Sequence, residues 1–183
     1  MRGESRENRP ISAPAVEYCG AMDALLTMGA AAGALLKARK ETIAVAESSA
    51  GGLINASLVA VPGASAYYLG GGVIYTPAGR AGILHIAKEE MKGIRSASEP
   101  WAALMAARVR ANLGATWGLG ETGASGPTGN RYGDAAGHAC IAVSGPVESV
   151  ITVETGSADR EANMREFTRR ALALLEECLK AAG

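Results

Sequence analysis

Aromatic side chains are scarce in this chain of 183 residues, which has one Phe, two Trp and five Tyr. A core must therefore be built from Ala, Val, Ile and Leu, and hydrophobic residues at 48% are enough to form one. Cysteine is also rare. Cys19, Cys140 and Cys178 are far apart, odd in number and lack a CxxC spacing. That excludes a disulfide framework or a zinc knuckle and fits a reducing compartment. Two histidines, His85 and His138, are too few for a His-rich metal site. No charge of one sign prevails, because 18 basic and 18 acidic residues cancel. No overall field then favours nucleic acid or an anionic membrane, and a small neutral or zwitterionic ligand suits the balance better. Long apolar runs are missing too. The Ala-rich run Gly29–Leu36 is too short and too soon charged to span a bilayer, and the charged start Met1–Pro10 is not a secretory signal. The expectation is a soluble, cytoplasmic, single-domain protein with no membrane or nucleic-acid partner.

Glycine is what the chain has in plenty, 24 in all. The most informative stretch is Thr42–Ile54. The apolar run Ile43–Ala46 reads as a buried strand and stops at Glu47, Ser48 and Ser49. Gly51 and Gly52 follow, and helical spacing resumes at Leu53. Such a strand–turn–helix lets backbone approach a ligand, and the first N–H groups of the helix are donors for an anion or oxyanion. The serines have two readings there, as nucleophile or as helix cap.

Taken in order, residues 1–14 read as a flexible arm and 15–183 as one domain. Ala15–Arg39 is helical, with Gly29 and Gly33 marking either close helix packing or a break. The helix after Gly52 ends at Val61-Pro62-Gly63. Val73–Thr76 is a second strand, Pro77–Arg80 a turn, Ala81–Ile86 a short helix and Lys88–Arg95 a charged connection. Ser98-Glu-Pro-Trp101 opens a helix that Gly114 ends. Ala115–Glu121 is a third strand, running into the Gly-rich loop Thr122–Gly129. Residues 137–144 and 147–154 form a hairpin, and Asp159–Ala182 a terminal helix. This order predicts a three-layer α/β/α domain with a mixed sheet, whose two glycine-rich corners lie at strand ends, where ligands bind.

Several ordered motifs resemble the C-terminal domain of the competence- and damage-inducible CinA proteins. They are Ala46-Glu-Ser-Ser-Ala-Gly-Gly52, Val61-Pro-Gly-Ala-Ser-Ala66, Gly72-Val-Ile-Tyr75 and Thr122-Gly-Ala-Ser-Gly-Pro127, completed by Arg160. The family includes nicotinamide mononucleotide amidohydrolases, and the resemblance implies hydrolysis of that carboxamide by a serine, with an amine to take its proton and no metal or redox cofactor. Ser48 and Ser65 match two serines of the family motifs, and either is a candidate nucleophile. Tyr75 matches a tyrosine five residues ahead of the family lysine. Arg80 stands at the lysine position, and arginine does not deprotonate near neutral pH. Further departures are Ser49 and Ala50, for Cys and Thr, and Asp134-Ala-Ala-Gly137, for Lys-Pro-Val-Gly. His85 is a possible replacement base or a surface residue.

The resemblance thus gives Ser48, Ser65, Tyr75 and Arg80 as catalytic candidates. Glu47, Ser49, Gly51, Gly52, Thr122, Gly123, Ala124, Gly126 and Arg160 become substrate-binding candidates, with phosphate meeting Arg80, Arg160 or the second Gly-rich loop. Arg160 has a plainer reading as half of a helix-capping pair with Asp159. The alternative function is a nucleotide-binding member impaired by Arg80. A homo-oligomer is the expected assembly.

Overall fold

The structure, a computed structural model, describes residues 19–183, with side chains from residue 22. The expected arm 1–14 and the helix start at Ala15 lie outside the described residues. Helix α1 is Cys19–Arg39, unbroken at Gly29 and Gly33. Strand β1 (Ile43–Glu47), helix α2 (Leu53–Val59) and strand β2 (Tyr68–Val73) follow. Then come α3 (Pro77–Leu84), α4 (Glu99–Leu113), β3 (Trp117–Ala124), β4 (His138–Ser144), β5 (Ser149–Glu154) and α5 (Arg160–Ala181). The five strands form one sheet in the order β2-β1-β3-β4-β5. Strand β1 runs parallel to β2 and β3, while β4 and β5 are antiparallel. The sheet is mixed, as expected.

Side-chain alternation in β1 separates the layers. Ile43 and Val45 join the core under α1, α2 and α5, with Leu36, Ile54, Leu58, Phe167 and Leu175. Ala44 and Ala46 face the other way, into a core with Leu84, Trp101, Met105 and Val109 from α3 and α4. Helix α4 lies very close to the sheet. A Cβ added at Gly118 would sit 2.0 Å from the Ala106 carbonyl oxygen, and one at Gly120 2.2 Å from that of Ala102. Ala102 and Ala106 pack in turn on Cys140 and Ala142 of β4. Small residues on both sides replace the bulk that the chain's few aromatics do not supply.

Several boundaries follow the expected caps. Ser98 Oγ accepts from Trp101 N–H and Gly114 closes α4 in the left-handed region. Asp159 caps α5 by accepting from Ala162 N–H at 3.1 Å. Others differ. The expected strand Val73–Thr76 lies instead at 68–73 and includes Gly70-Gly71-Gly72. The glycines are there because of a close approach, since a Cβ at Gly71 would be 2.2 Å from Val45 O and 2.4 Å from Asn55 Oδ1. Helix α3 starts at Pro77, four residues early, because Thr76 Oγ1 accepts from Gly79 N–H and Pro77 fills the first turn. Strand β3 continues through Thr122 and Gly123, which pair with Cys140 and Ala139 of β4. The expected loop therefore begins only at Ser125.

Replacing Gly120 with Ala should destabilise the fold by on the order of 3 kcal/mol, because backbone on α4 has nowhere to move. Gly82→Ala is the control. It is helical and a Cβ there meets nothing within 4 Å, so it should be neutral or slightly stabilising. Urea midpoints at unchanged slope read the difference.

Candidate functional site

Strand β1 leaves toward β2 through α2 on one face, and the chain returns to β3 through α4 on the other. Between β1 and β3 the path reverses, and a crevice opens beyond their C-terminal ends, as in other open α/β sheets. A cavity of about 440 Å³ lies there. Ser48 and Ser49 form one wall, and Tyr75 and Arg80 of the β2–α3 segment another. The end of β3 and its loop, Thr122 to Gly126, lie across from them with Trp101, Tyr132 and Arg160. Nine of the thirteen expected residues thus share one hollow: Ser48, Ser49, Tyr75, Arg80, Thr122, Gly123, Ala124, Gly126 and Arg160.

Ser65 does not join them. It lies in the single turn Ala64–Ala66 ahead of β2 and is exposed. Ile43 pairs with Tyr68 and Glu47 with Val73, so Ser65 sits where the parallel strands begin and Ser48 where they end. Five residues of strand separate those edges by roughly 16 Å. The Val61-Pro62-Gly63 stop places Ser65 at the wrong end of the sheet for this cavity. His85 is also elsewhere. It closes α3 in the left-handed region and lines a different hollow with Gly71 and Leu113.

The corner after β1 carries a surprise in its electrostatics. Four of its backbone donors, the N–H groups of Ser48, Ala50, Ile54 and Asn55, are not free for a ligand, because two buried carboxylates already hold them. Glu47 is fully buried. It accepts from Ile54 N–H at 3.2 Å and Asn55 N–H at 2.9 Å, and from the Asn55 side-chain amide. Asn55 Oδ1 in turn accepts from the Tyr68 hydroxyl, and burial followed by the Glu47 charge pushes that phenol up to about 12. Glu121 of β3 is equally buried. Its Oε2 accepts from Ser48 N–H and Ala50 N–H, each at 2.9 Å, and its Oε1 from the Ser49 hydroxyl. Burial pushes the Glu121 carboxyl up to about 7, against these hydrogen bonds and with help from nearby Glu47. The expectation that the α2 N-terminus receives a ligand anion is therefore corrected: Glu47 occupies it. Gly51 and Gly52 serve the corner's backbone rather than the cavity, at φ +68° and +101°, and a Cβ at Gly51 would strike Met164 of α5.

The opposite wall is held from behind. Ser125 Oγ donates to Ser49 O at 2.7 Å, joining the two corners directly. Asn163 of α5 donates to Ser125 O and Ser157 O, both at 2.8 Å. Thr122 Oγ1 accepts from Ala97 N–H at 3.3 Å. His138 Nε2–H donates to Ala97 O at 3.0 Å, and its Nδ1 lies 2.5 Å from Glu154 Oε1. Burial works against the imidazolium, but Glu154, the Ala97 carbonyl and Asp134 outweigh it and hold the ring above its ordinary value. Asp134 makes a two-pronged pair with Arg95, at 2.5 and 3.0 Å, which holds its carboxyl below the usual range.

Positive charge gathers at the mouth. Arg160 Nη1 donates to Gly126 O at 2.7 Å and Nη2 to the Tyr75 hydroxyl at 2.9 Å. Arg80, on α3, has its Nε buried without a protein partner. Hydroxyls thus line the floor, with the buried Glu47 and Glu121 behind the corner, and two guanidiniums and aromatic rings line the cavity as well. Sequence reasoning passed over Glu121, Asn163 and Trp101 as site residues. The signal for Glu121 was present, because a charge ends an otherwise apolar strand immediately ahead of a Gly-rich segment.

Fold and cavity together define a three-layer α/β domain with a polar cavity at its strand ends. The sequence pattern of the CinA C-terminal domain matches residues 26–179, and the chain belongs to that family. A CinA-like protein of Desulfosudis oleivorans is 38% identical over 159 residues, 86% of this chain and 38% of that protein. One from Gloeobacter violaceus is 38% identical over 151 residues, 81% of this chain and 35% of the other. The chain thus spans less than two-fifths of the length of these curated relatives. Among solved structures, a competence-damaged protein (CinA) superfamily member from Klebsiella pneumoniae superposes with a TM-score of 0.79 at 25% identity, covering 86% of this chain and 98% of that one. One from Escherichia coli gives 0.77 at 26% identity, covering 84% and 90%. No described helix is long and apolar enough to cross a membrane.

The raised Glu121 carboxyl predicts a pH-dependent stability. Native protein holds that proton more tightly than unfolded chain, so the group's contribution is full below the ordinary carboxyl range and is lost as pH rises through about 7. Between pH 5 and pH 8, wild type should lose about 2 to 3 kcal/mol relative to Glu121→Gln. Melting curves of both proteins across that range check the sign.

Proposed function

We propose that the chain hydrolyses the carboxamide of nicotinamide mononucleotide, giving the acid and ammonia, with a hydroxyl of the Ser48–Ser49 corner as nucleophile. The observation that carries this reading is the polarity of the cavity. Its floor has hydroxyls backed by carboxylates, and its mouth has Arg80 and Arg160. A nucleotide carrying a cationic pyridinium and an anionic phosphate is complementary to that arrangement. The phosphate would meet the guanidiniums, which suit phosphate geometry, and the pyridinium ring would meet Trp101 or Tyr132 by face contact. The carboxamide would then lie over the serines. Family membership supports the same substrate class. Ser65 has no part in this scheme, being at the far end of the sheet.

Arg80 would act as a fixed cation, on phosphate or on the developing oxyanion, and not as a base. Removing one charge-assisted contact lowers kcat/KM about 10- to 100-fold.

An ammonia-release assay on nicotinamide mononucleotide tests the reading. Wild type should release ammonia, Ser65→Ala should match it, and Arg80→Ala should fall by that factor. Silence from wild type, with the mononucleotide raising the melting temperature, would leave a binding pocket without turnover and overturn the hydrolytic reading.

A further inference from the structure

The hydroxyls around the cavity differ in what they face. Thr122 Oγ1 receives a backbone N–H, Ser125 Oγ donates to a carbonyl, and Thr76 Oγ1 caps α3. None of these partners takes a proton. The Ser48 hydroxyl has no carboxylate, imidazole or amine on it among the described residues, and Ser48 gives only its N–H to Glu121. Ser49 is different. Ser49 lines the cavity, and its hydroxyl donates straight to Glu121 Oε1. We propose that Ser49 is the nucleophile of this cavity and Glu121 its general base. The proposal deepens the hydrolytic reading above and rests on it.

Three features make the pair fit. First, Glu121 is not neutralised by a cation. Its partners are one hydroxyl and two N–H groups, and the charged group beside it is another carboxylate, Glu47. The carboxylate is left basic enough to act near neutral pH. Second, Ser49 is fixed at both ends, its carbonyl by Ser125 Oγ at 2.7 Å and its hydroxyl by Glu121. Third, the absence of a side chain at Gly123 is what lets the Ser49 hydroxyl take this place on the strand. A Cβ there would stand 2.8 Å from Ser49 Oγ. Arg80 cannot take a proton, and Glu121 supplies the missing acceptor from the opposite side, leaving the guanidinium available to an oxyanion.

The step balances without a further reagent. Ser49 Oγ bonds to the carboxamide carbon as its proton passes to Glu121 Oε1, and the carbonyl π pair moves onto oxygen. The tetrahedral species collapses, the C–N bond breaks, and the leaving nitrogen takes the proton from Glu121 and departs as ammonia. Water then attacks the ester. Glu121 receives its proton and returns one to Ser49 Oγ as the acid leaves.

The test uses diisopropyl fluorophosphate on the full chain. Ser49 Oγ would attack phosphorus and displace fluoride, and mass spectrometry of the digest locates the adduct. The expected result is an adduct on Ser49 whose rate of formation rises with pH through about 7. Glu121→Gln keeps an acceptor for the corner N–H groups but removes the base. It should react at least about 100-fold more slowly and without that inflexion, its fold checked by circular dichroism. An adduct on Ser48 or elsewhere, no adduct, or a wild-type rate in Glu121→Gln would each overturn the proposal. The site of labelling on wild type decides by itself if the variant does not fold. Ammonia release from the mononucleotide without a Ser49 adduct would sink this assignment alone. A Ser49 adduct without ammonia release would sink the substrate reading and leave the pair standing.

Discussion

The buried carboxylate of Glu121 is the interaction on which the rest of the site depends. A charged carboxylate removed from water costs several kcal/mol unless hydrogen bonds replace its hydration. Glu121 finds those bonds across a strand boundary, on Ser48 N–H, Ala50 N–H and the Ser49 hydroxyl. It therefore pins the β1–α2 corner to β3, and the cavity wall forms only when both strands are in register. Glu47, on the neighbouring strand, does the same for the start of α2. Two carboxylates side by side take four of the donors that a strand–turn–helix ordinarily offers to an anion, on Ser48, Ala50, Ile54 and Asn55. Negative charge thus lies buried behind the corner, while Arg80 and Arg160 line the cavity itself. The orientation of a zwitterionic ligand would follow from that constraint.

The second constraint is steric. With few aromatic residues, the domain brings its layers together through small ones. Gly118 and Gly120 face α4, and Ala102 and Ala106 of that helix pack on Cys140 and Ala142. The consequence reaches the site. Helix α4 sits low on the sheet, so Trp101 in its first turn and the preceding Ser96–Ala97 become a cavity wall. His138 then ties Ala97 back to β4 and Glu154. Packing at the centre of the sheet and the shape of the cavity are thus one feature, reached through a single helix.

Much of this was legible in the residues. Strand β1 announced itself as an apolar run ending in polar groups, and α4 and α5 through Ser98, Asp159 and Gly114. The β4–β5 hairpin was readable from Gly145-Pro146. Local chemistry decides such features, so local reading finds them. What escaped depended on partners distant in sequence. A triple glycine reads as a break, yet Gly71 is in a strand because Asn55 and Val45 fill its side-chain space. Thr122 and Gly123 read as loop, yet β4 pairs with them. Ser65 looked equivalent to Ser48 because motif spacing carries no sign of which end of the sheet a turn occupies. The donors of the first corner looked free because both of the groups that fill them, Glu47 and Glu121, read as strand ends.

The departures from the family pattern are easier to understand together than singly. Ser49 and Ala50, in place of Cys and Thr, both bind Glu121, one by its hydroxyl and the other by its N–H. Ala50 is also fully buried in the core beneath α2, so its small side chain sets how near Glu121 the corner can lie. Arg80, in place of lysine, removes a titratable amine from the cavity's edge and leaves a permanent cation there. A site with a fixed cation at the mouth needs a proton acceptor elsewhere if a serine is to attack, and the floor has one. Asp134, in place of lysine in the later loop, is neutralised by Arg95 and held by Asn130 at 2.8 Å, so it organises that loop without adding free charge to the entrance. On the proposed mechanism, the departures go with a proton acceptor behind the Ser48–Ser49 corner rather than at the rim, and with fixed cations on the cavity wall where a substrate's anion would bind.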